Sequence, residues 1–163
     1  MVKVLFVCHG NICRSPMAEY VMKHIVKERG LEDKFFIDSC ATSTEEIGND
    51  VHIGTKRKLK SIGISCLSRS ARQIKLDDFL SFDYILTMEK YNNDNLMRFL
   101  KMRGNNEIYI NAFNEKVNRL LDFCPNPKDI ADPWYTGNFD ITFDEIKYGI
   151  EQFIEYLTKN GRI

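Results

Sequence analysis

The sequence lacks an excess of charge of either sign. Its 23 lysines and arginines are balanced by 23 aspartates and glutamates, which leaves a formal net charge of zero. Because no overall field attracts nucleic acid or an anionic membrane, the charge balance argues against both as partners. Recognition of any anionic ligand must therefore arise from a local arrangement of side chains and backbone amides.

Long apolar runs are missing as well. No stretch approaches the roughly 18 consecutive apolar residues of a membrane-spanning helix, and the amino terminus shows no signal-peptide pattern. We therefore expect a soluble, cytoplasmic protein without membrane insertion. The 163 residues are enough to bury a core. No internal repeat, low-complexity tract or linker interrupts them, so residues 1–163 are expected to form a single domain.

The spacing of the five cysteines excludes a disulfide framework and a zinc site. An odd number scattered along the chain is not typical of a secreted, disulfide-bonded domain. Cys8, His9 and Cys13 offer at most three zinc ligands, and no second pair lies at a suitable spacing, so we expect no metal. The roles that remain for the cysteines are catalysis, redox sensing and burial in the core. A structural role is expected for the last three: Cys40, Cys66 and Cys124.

Apolar strand patterns alternate with helical patterns along the chain. This alternation predicts an α/β three-layer sandwich, with a four-stranded parallel sheet flanked by helices on both faces. Ligands of such sheets bind beyond the carboxyl ends of the strands. Strands are predicted at residues 2–8, 35–41, 84–88 and 107–110. Helices are predicted at residues 16–30, 50–62, 76–80, 89–103 (ended by Gly104), 114–123 and 141–159, and an irregular, aromatic-rich loop at 132–138.

The first predicted strand leads into a short loop with a cysteine at one end and an arginine at the other. Cys8 and Arg14 flank five residues, and a serine-proline pair then opens a helix with Ser15 as its N-cap. Gly10 and Asn11 tolerate positive φ, so successive N–H groups can converge beside the positive end of the helix. This pattern predicts a phosphate cradle with a thiol nucleophile, as in a cysteine-dependent phosphatase. The competing interpretation makes the cysteine a small buried hydrophobe and the arginine a surface charge.

The loop and three later segments resemble the low-molecular-weight protein tyrosine phosphatases. Residues 8–19 (CHGNICRSPMAE) are similar to the family signature. Residues 39–43, 70–73 and 132–135 are similar to its second-strand loop, its middle segment and its late Asp-Pro loop, so the resemblance covers essentially the whole chain. It implies the phosphotyrosine phosphatase I-like fold and hydrolysis of tyrosine-phosphorylated proteins. It also implies a monomer without a cofactor, and phosphate as product or inhibitor.

The resemblance assigns the catalytic roles to three residues. Cys8 would attack phosphorus and form a phosphocysteine, and Arg14 would bind two phosphate oxygens through its planar fork. Asp132 would be the general acid and then the base, although an Asp-Pro pair is otherwise a common turn start. Contacts to phosphate and substrate are expected from His9, Gly10, Asn11, Ile12, Cys13, Ser15, Trp134 and Tyr135, with the two aromatic residues alternatively filling the core.

Supporting and protective roles are also implied by the resemblance. Asn11, Ser15 and Ser39 match positions that hydrogen-bond to one another and hold the loop in shape. Cys13 would form a reversible disulfide with Cys8 and so protect the nucleophile from irreversible oxidation.

Two positions depart from the family pattern, and three alternative functions stay open. Many members have an aromatic residue where this chain has Glu45, and some have a histidine near Arg69, so the substrate preference at the rim of the cleft is not fixed.

An arsenate reductase of the same fold needs two further cysteines near residue 80, and residues 70–100 contain none. A phosphoarginine phosphatase carries threonine in place of Ile12. A silent phosphate-binding module has no need of Asp132.

Overall fold

The computed structural model describes residues 1–103 and 105–163. The four strands in these ranges are β1 (Val2–Cys8), β2 (Phe35–Ala41), β3 (Tyr84–Thr87) and β4 (Val117–Arg119). The helices are α1 (Arg14–Glu28), α2 (Ile53–Ser61), α3 (Leu76–Ser81), α4 (Lys90–Arg103), α5 (Glu107–Lys116), α6 (Pro133–Thr136) and α7 (Phe139–Lys159). Gly104, predicted to end the fourth helix, lies outside the described residues.

All strand pairings in the described sheet are parallel, in the order β2-β1-β3-β4. Successive side chains of a strand point to opposite faces. Val4 and Phe6 therefore enter one core with α1 and α7, whereas Leu5 and Val7 enter a second core with α3, α4 and α5. The predicted three-layer arrangement with helices on both faces is confirmed. Among the described residues, no helix combines the length and apolarity needed to cross a bilayer.

The fourth strand does not lie where the sequence predicts it. Residues 107–110 belong to helix α5, and the strand is β4, within the segment 114–123 that was predicted to be helical. A short apolar run such as Ile-Tyr-Ile fits a strand or one face of a helix equally well. The distinguishing signal is Asn106, whose side chain accepts a hydrogen bond from the N–H of Ile108 at 3.1 Å and caps α5.

Two further predictions about local structure are wrong. Helix α1 begins at Arg14, so Ser15 lies inside the helix and is not its N-cap; its hydroxyl contacts the loop instead. The predicted irregular loop at 132–138 contains the short helix α6. That helix is capped by Asp132, which accepts a hydrogen bond from the N–H of Trp134 at 3.0 Å, and it ends at Gly137, where φ is +67°.

Candidate active site

The loop between β1 and α1, residues 9–13, lies at the carboxyl edge of the sheet. Its carbonyl oxygens are held by the surrounding structure. The Cys8 and His9 carbonyls accept hydrogen bonds from the segment after β2 at 3.0 and 3.1 Å, and the Cys13 carbonyl accepts one from the Thr55 hydroxyl at 3.0 Å. The backbone N–H of Asn11 donates a hydrogen bond to the Sγ atom of Cys8 at 3.3 Å. The loop therefore directs a backbone donor toward its cysteine, as an anion cradle requires.

Asn11 fixes the shape of this loop from below. It is buried and adopts the left-handed conformation, with φ of 60°, which costs a non-glycine residue energy that its surroundings must supply. Its side-chain amide donates to the hydroxyls of Ser15 and Ser39 at 2.8 and 2.9 Å, and its oxygen accepts from the Arg72 amide at 3.2 Å. The structure thus brings the three predicted support residues together.

Ser15 links this support to the nucleophile. Its Oγ atom lies 3.0 Å from the Sγ atom of Cys8. The hydroxyl accepts the hydrogen bond from Asn11, and its own hydrogen can be donated to the sulfur or to the more distant Cys40 carbonyl at 3.4 Å. A donor in this position stabilises a thiolate. Asn11 and Ser15 are both buried, so they support the loop and the nucleophile without lining the cleft themselves.

A buried ion pair that the sequence did not reveal lies beneath Ser39. Glu19 of α1 is 3% exposed and accepts the Ser39 hydroxyl hydrogen at 2.7 Å. Arg69 contacts the same carboxylate and also donates to the Ser39 hydroxyl at 2.9 Å, while Lys23 binds the other oxygen at 2.7 Å. Two cations therefore compensate the buried carboxylate.

Arg14 is buried at 1% exposure and is not a surface charge. It donates to Glu89 at 3.0 Å, to the Ile130 carbonyl at 2.9 Å and to Asp132 at 3.1 Å. Burial alone would lower the pKa of its guanidinium, but the neighbouring Cys8, Glu89 and Asp132 together raise that pKa above its usual value. The guanidinium is therefore a permanent cation inside the site.

These groups surround one cleft of about 440 Å³. Trp134 and Tyr135 are 58% and 84% exposed, so they form its outer wall and do not fill the core. Glu46, Glu89 and Tyr91 also line it and were missed from the sequence. For Glu89 a signal existed, because it closely follows β3 at the ligand-binding edge of the sheet. The predicted residues in the lining are Cys8, His9, Gly10, Ile12, Cys13, Arg14, Asp132, Trp134 and Tyr135.

Of the other four thiols, Cys13 lines the cleft with Cys8, and Cys40, Cys66 and Cys124 do not. Burial, followed by the charges of Cys8 and Asp132, raises the pKa of Cys13 to about 12. Cys40 and Cys124 are buried and Cys66 is half-buried, and all five cysteines are free. Within residues 1–103 and 105–163, no group of three or more histidine, cysteine or acidic side chains is arranged to hold a metal ion.

Comparison with known proteins agrees with this geometry. A family model described as low molecular weight phosphotyrosine protein phosphatase matches residues 3–163. The low molecular weight protein-tyrosine-phosphatase YfkJ of Bacillus subtilis is 38% identical over 100% of both chains. Its crystal structure matches with a TM-score of 0.87 over 98% of this chain and 96% of that one.

Two animal proteins are also similar. The low molecular weight phosphotyrosine protein phosphatase of Gallus gallus is 38% identical over 93% of each chain. The crystal structure of a drosophila arginine phosphatase matches with a TM-score of 0.83 and 29% identity, over 95% of this chain and 97% of that one.

The chain therefore belongs to the low molecular weight phosphotyrosine protein phosphatase family. The family and the phosphatase class predicted from the sequence are confirmed, as is the α/β sandwich with its parallel sheet.

The Arg69–Glu19 pair yields a stability prediction. Arg69→Met leaves Glu19 buried with only Lys23 as a counter-ion, so the free energy of unfolding should fall by about 3 kcal/mol, at the lower end of the cost of breaking a buried pair. Adding Glu19→Gln to this variant should recover part of the loss. Denaturant titrations measure both changes. The control is Arg98→Met, which truncates an exposed arginine on α4; an equal loss in the control would contradict the importance of the buried pair.

Proposed function

We propose that the protein hydrolyses phosphotyrosine through a phosphocysteine on Cys8, with Arg14 binding the phosphate and Asp132 transferring protons. The observation that carries this proposal is the convergence of the three side chains in one cleft, although Asp132 lies 118 residues after Arg14 in the chain. A thiol, a buried bidentate cation and a carboxyl group are the components that transfer of a phosphoryl group to sulfur requires.

In the first step, the Cys8 thiolate attacks phosphorus, and the bond between phosphorus and the tyrosyl oxygen breaks. Arg14 turns its fork from Glu89 and Asp132 to two equatorial oxygens, and the loop amides bind the charge that develops on the phosphoryl group. Asp132, as the protonated acid, donates its proton to the leaving phenolate.

In the second step, water attacks the phosphocysteine on the face that tyrosine has left. Asp132, now a carboxylate, accepts a proton from that water, the phosphorus–sulfur bond breaks, and the Cys8 thiolate is regenerated. The Ser15 hydroxyl, 3.0 Å from the sulfur, stabilises the departing thiolate. Inorganic phosphate is the product, and we expect it to inhibit by occupying the same cradle.

The walls of the cleft favour an aromatic ester. Trp134, Tyr135 and Tyr91 lie around its mouth and offer apolar faces to a phenyl ring. Ile12 presents no hydroxyl to the cleft, unlike the threonine expected of a phosphoarginine phosphatase. An arsenate reductase relay would need two cysteines between residues 70 and 100, and the sequence has none there.

We further propose that residues 1–163 act as a single domain and a monomer in the cytoplasm. One chain supplies the nucleophile Cys8, the cation Arg14 and the acid Asp132 to the cleft, which supports a monomer. The nucleophile is a thiol that must stay reduced, and a cytoplasmic environment maintains thiols in that state.

The redox role of Cys13 is part of the same proposal. Peroxide would oxidise the Cys8 thiolate to a sulfenic acid, and the Cys13 thiolate would then displace hydroxide, which leaves as water, and form the Cys8–Cys13 disulfide. Cys13 lines the same cleft as Cys8, which supports the pairing. Burial raises the pKa of the Cys13 thiol, which makes this second step slow at neutral pH, because only the thiolate attacks.

Proton transfer by Asp132 can be tested with two leaving groups. Asp132→Ala should reduce kcat/KM for a phosphotyrosine peptide by about 10²–10⁴-fold, and for p-nitrophenyl phosphate by much less, because nitrophenolate leaves without a proton. Cys8→Ser should abolish both reactions. Asp144→Ala, an exposed control on α7, should change neither. An equal loss for the two esters in Asp132→Ala would contradict the acid role.

The redox switch predicts a dependence on pH. Dithiol should restore the peroxide-treated wild type and Cys66→Ser, but largely not Cys13→Ser. In the wild type, burial keeps the pKa of Cys13 above the ordinary thiol value, so its thiolate fraction rises about tenfold per unit of pH between about pH 6 and pH 8. The yield of disulfide relative to dimedone-trapped sulfenic acid, read by mass spectrometry, should therefore increase with pH. A constant ratio, or equal recovery of the Cys13 variant, would remove Cys13 from the switch.

A further inference from the structure

We propose that the acidic mouth of the cleft makes the enzyme prefer phosphotyrosine flanked by lysine or arginine over phosphotyrosine flanked by acidic residues. This inference rests on the proposed function and concerns which phosphoproteins that function selects. It assigns the selection to Glu45 and Glu46, which line the cleft on the loop between β2 and α2.

The positive charge inside the cleft is already matched. Arg14 pairs with Glu89 at 3.0 Å and with Asp132 at 3.1 Å, and no lysine lines the cleft. The remaining basic side chain in the lining is His9, whose Nε2 atom is 2.9 Å from the Glu45 carboxylate. A bound phosphoryl group can use Arg14 and the loop amides, but a negative residue beside phosphotyrosine finds no further cation in the lining.

The two glutamates are held at this mouth by the loop that carries them. The carboxylate of Glu46 accepts a hydrogen bond from the Asn49 side chain at 2.6 Å, and the loop is anchored by the Gly48 amide on the Ala71 carbonyl at 2.9 Å. The Cγ atom of Glu46 also lies 3.1 Å from the place that a Cβ on Gly10 would occupy. Glu46 therefore packs directly over the phosphate-binding loop.

Glu45 remains accessible to a substrate. Its side chain is 68% exposed, so its contact with His9 leaves much of the carboxylate open to solvent. Trp134 and Tyr135, two exposed aromatic residues of the lining, carry no charge. A peptide that leaves the cleft past residues 45 and 46 therefore meets two carboxylates. A lysine or arginine there forms ion pairs, whereas an aspartate or glutamate is repelled.

Three phosphotyrosine peptides that differ only in the two residues on each side of the phosphotyrosine test this inference. Lysine, glutamine and glutamate are placed at these positions, and kcat/KM is measured with the wild-type protein. We expect the lysine peptide to exceed the glutamate peptide by about 3- to 10-fold, the size of one or two exposed ion pairs. The ratio should shrink as salt is raised, because salt screens exposed charges.

Amino-acid substitutions test whether Glu45 and Glu46 cause the preference for the lysine peptide. Glu45→Gln with Glu46→Gln should bring the lysine-to-glutamate ratio close to one. Glu115→Gln is the matched control, because Glu115 is exposed on α5, which leads into the amino end of β4, away from the cleft edge of the sheet. It should leave both the ratio and the basal activity unchanged. A ratio that persists in the double variant would overturn the assignment to these glutamates.

Hydrolysis of p-nitrophenyl phosphate distinguishes a failure of the charge preference from a failure of the proposed function, because this ester has no flanking residues. If the wild type hydrolyses it but treats all three peptides alike, or prefers the glutamate peptide, the charge preference is wrong and the proposed function stands. If the wild type hydrolyses neither this ester nor any peptide, both are wrong.

Discussion

The burial of the Arg14 guanidinium is the constraint on which the rest of the site depends. A buried charge is tolerated only when it is paired and its donors are satisfied. The partners come from distant parts of the chain: Glu89 after β3, and Ile130 and Asp132 in the segment before α6. Satisfying one cation therefore draws three segments to the carboxyl edge of the sheet, and in doing so it brings the carboxyl group of Asp132 to the cleft that holds Cys8.

A second buried charge stabilises the other side of the same loop. Glu19, five residues after Arg14 on α1, holds Ser39 and is neutralised by Arg69 and Lys23. Ser39 in turn fixes Asn11 in its left-handed conformation. Helix α1 thus carries a cation toward the cleft and an anion toward the support beneath it, and the loop that precedes the helix is held through the hydrogen bonds of Asn11. Such preorganisation is what stabilisation of a developing phosphoryl charge requires.

The local part of this arrangement could be predicted from the sequence, and the nonlocal part only by resemblance. Cys8 and Arg14 lie close in the chain, so their spacing, together with the preceding strand and the helix start after the loop, predicted a cradle. Nothing in the spacing places Asp132 beside them; the family resemblance did so. The pairing of Arg69 with Glu19 depends on tertiary packing that leaves no local pattern, whereas Glu89 could have been found from its position just after β3. β4 was misplaced for a similar reason, because a short apolar run does not distinguish a strand from a helix.

The central claim is that phosphate passes through the sulfur of Cys8. It is tested most directly by mixing the Asp132→Ala variant with a nitrophenyl phosphate and quenching rapidly in denaturant at neutral pH, followed by digestion and mass spectrometry of the peptide that contains residues 8–14. Loss of Asp132 slows the attack of water on the intermediate more than the departure of nitrophenolate, so the phosphoenzyme should accumulate. The account predicts one phosphoryl group on Cys8. A phosphoryl group on His9, or turnover with no phosphoenzyme at any time, would contradict it.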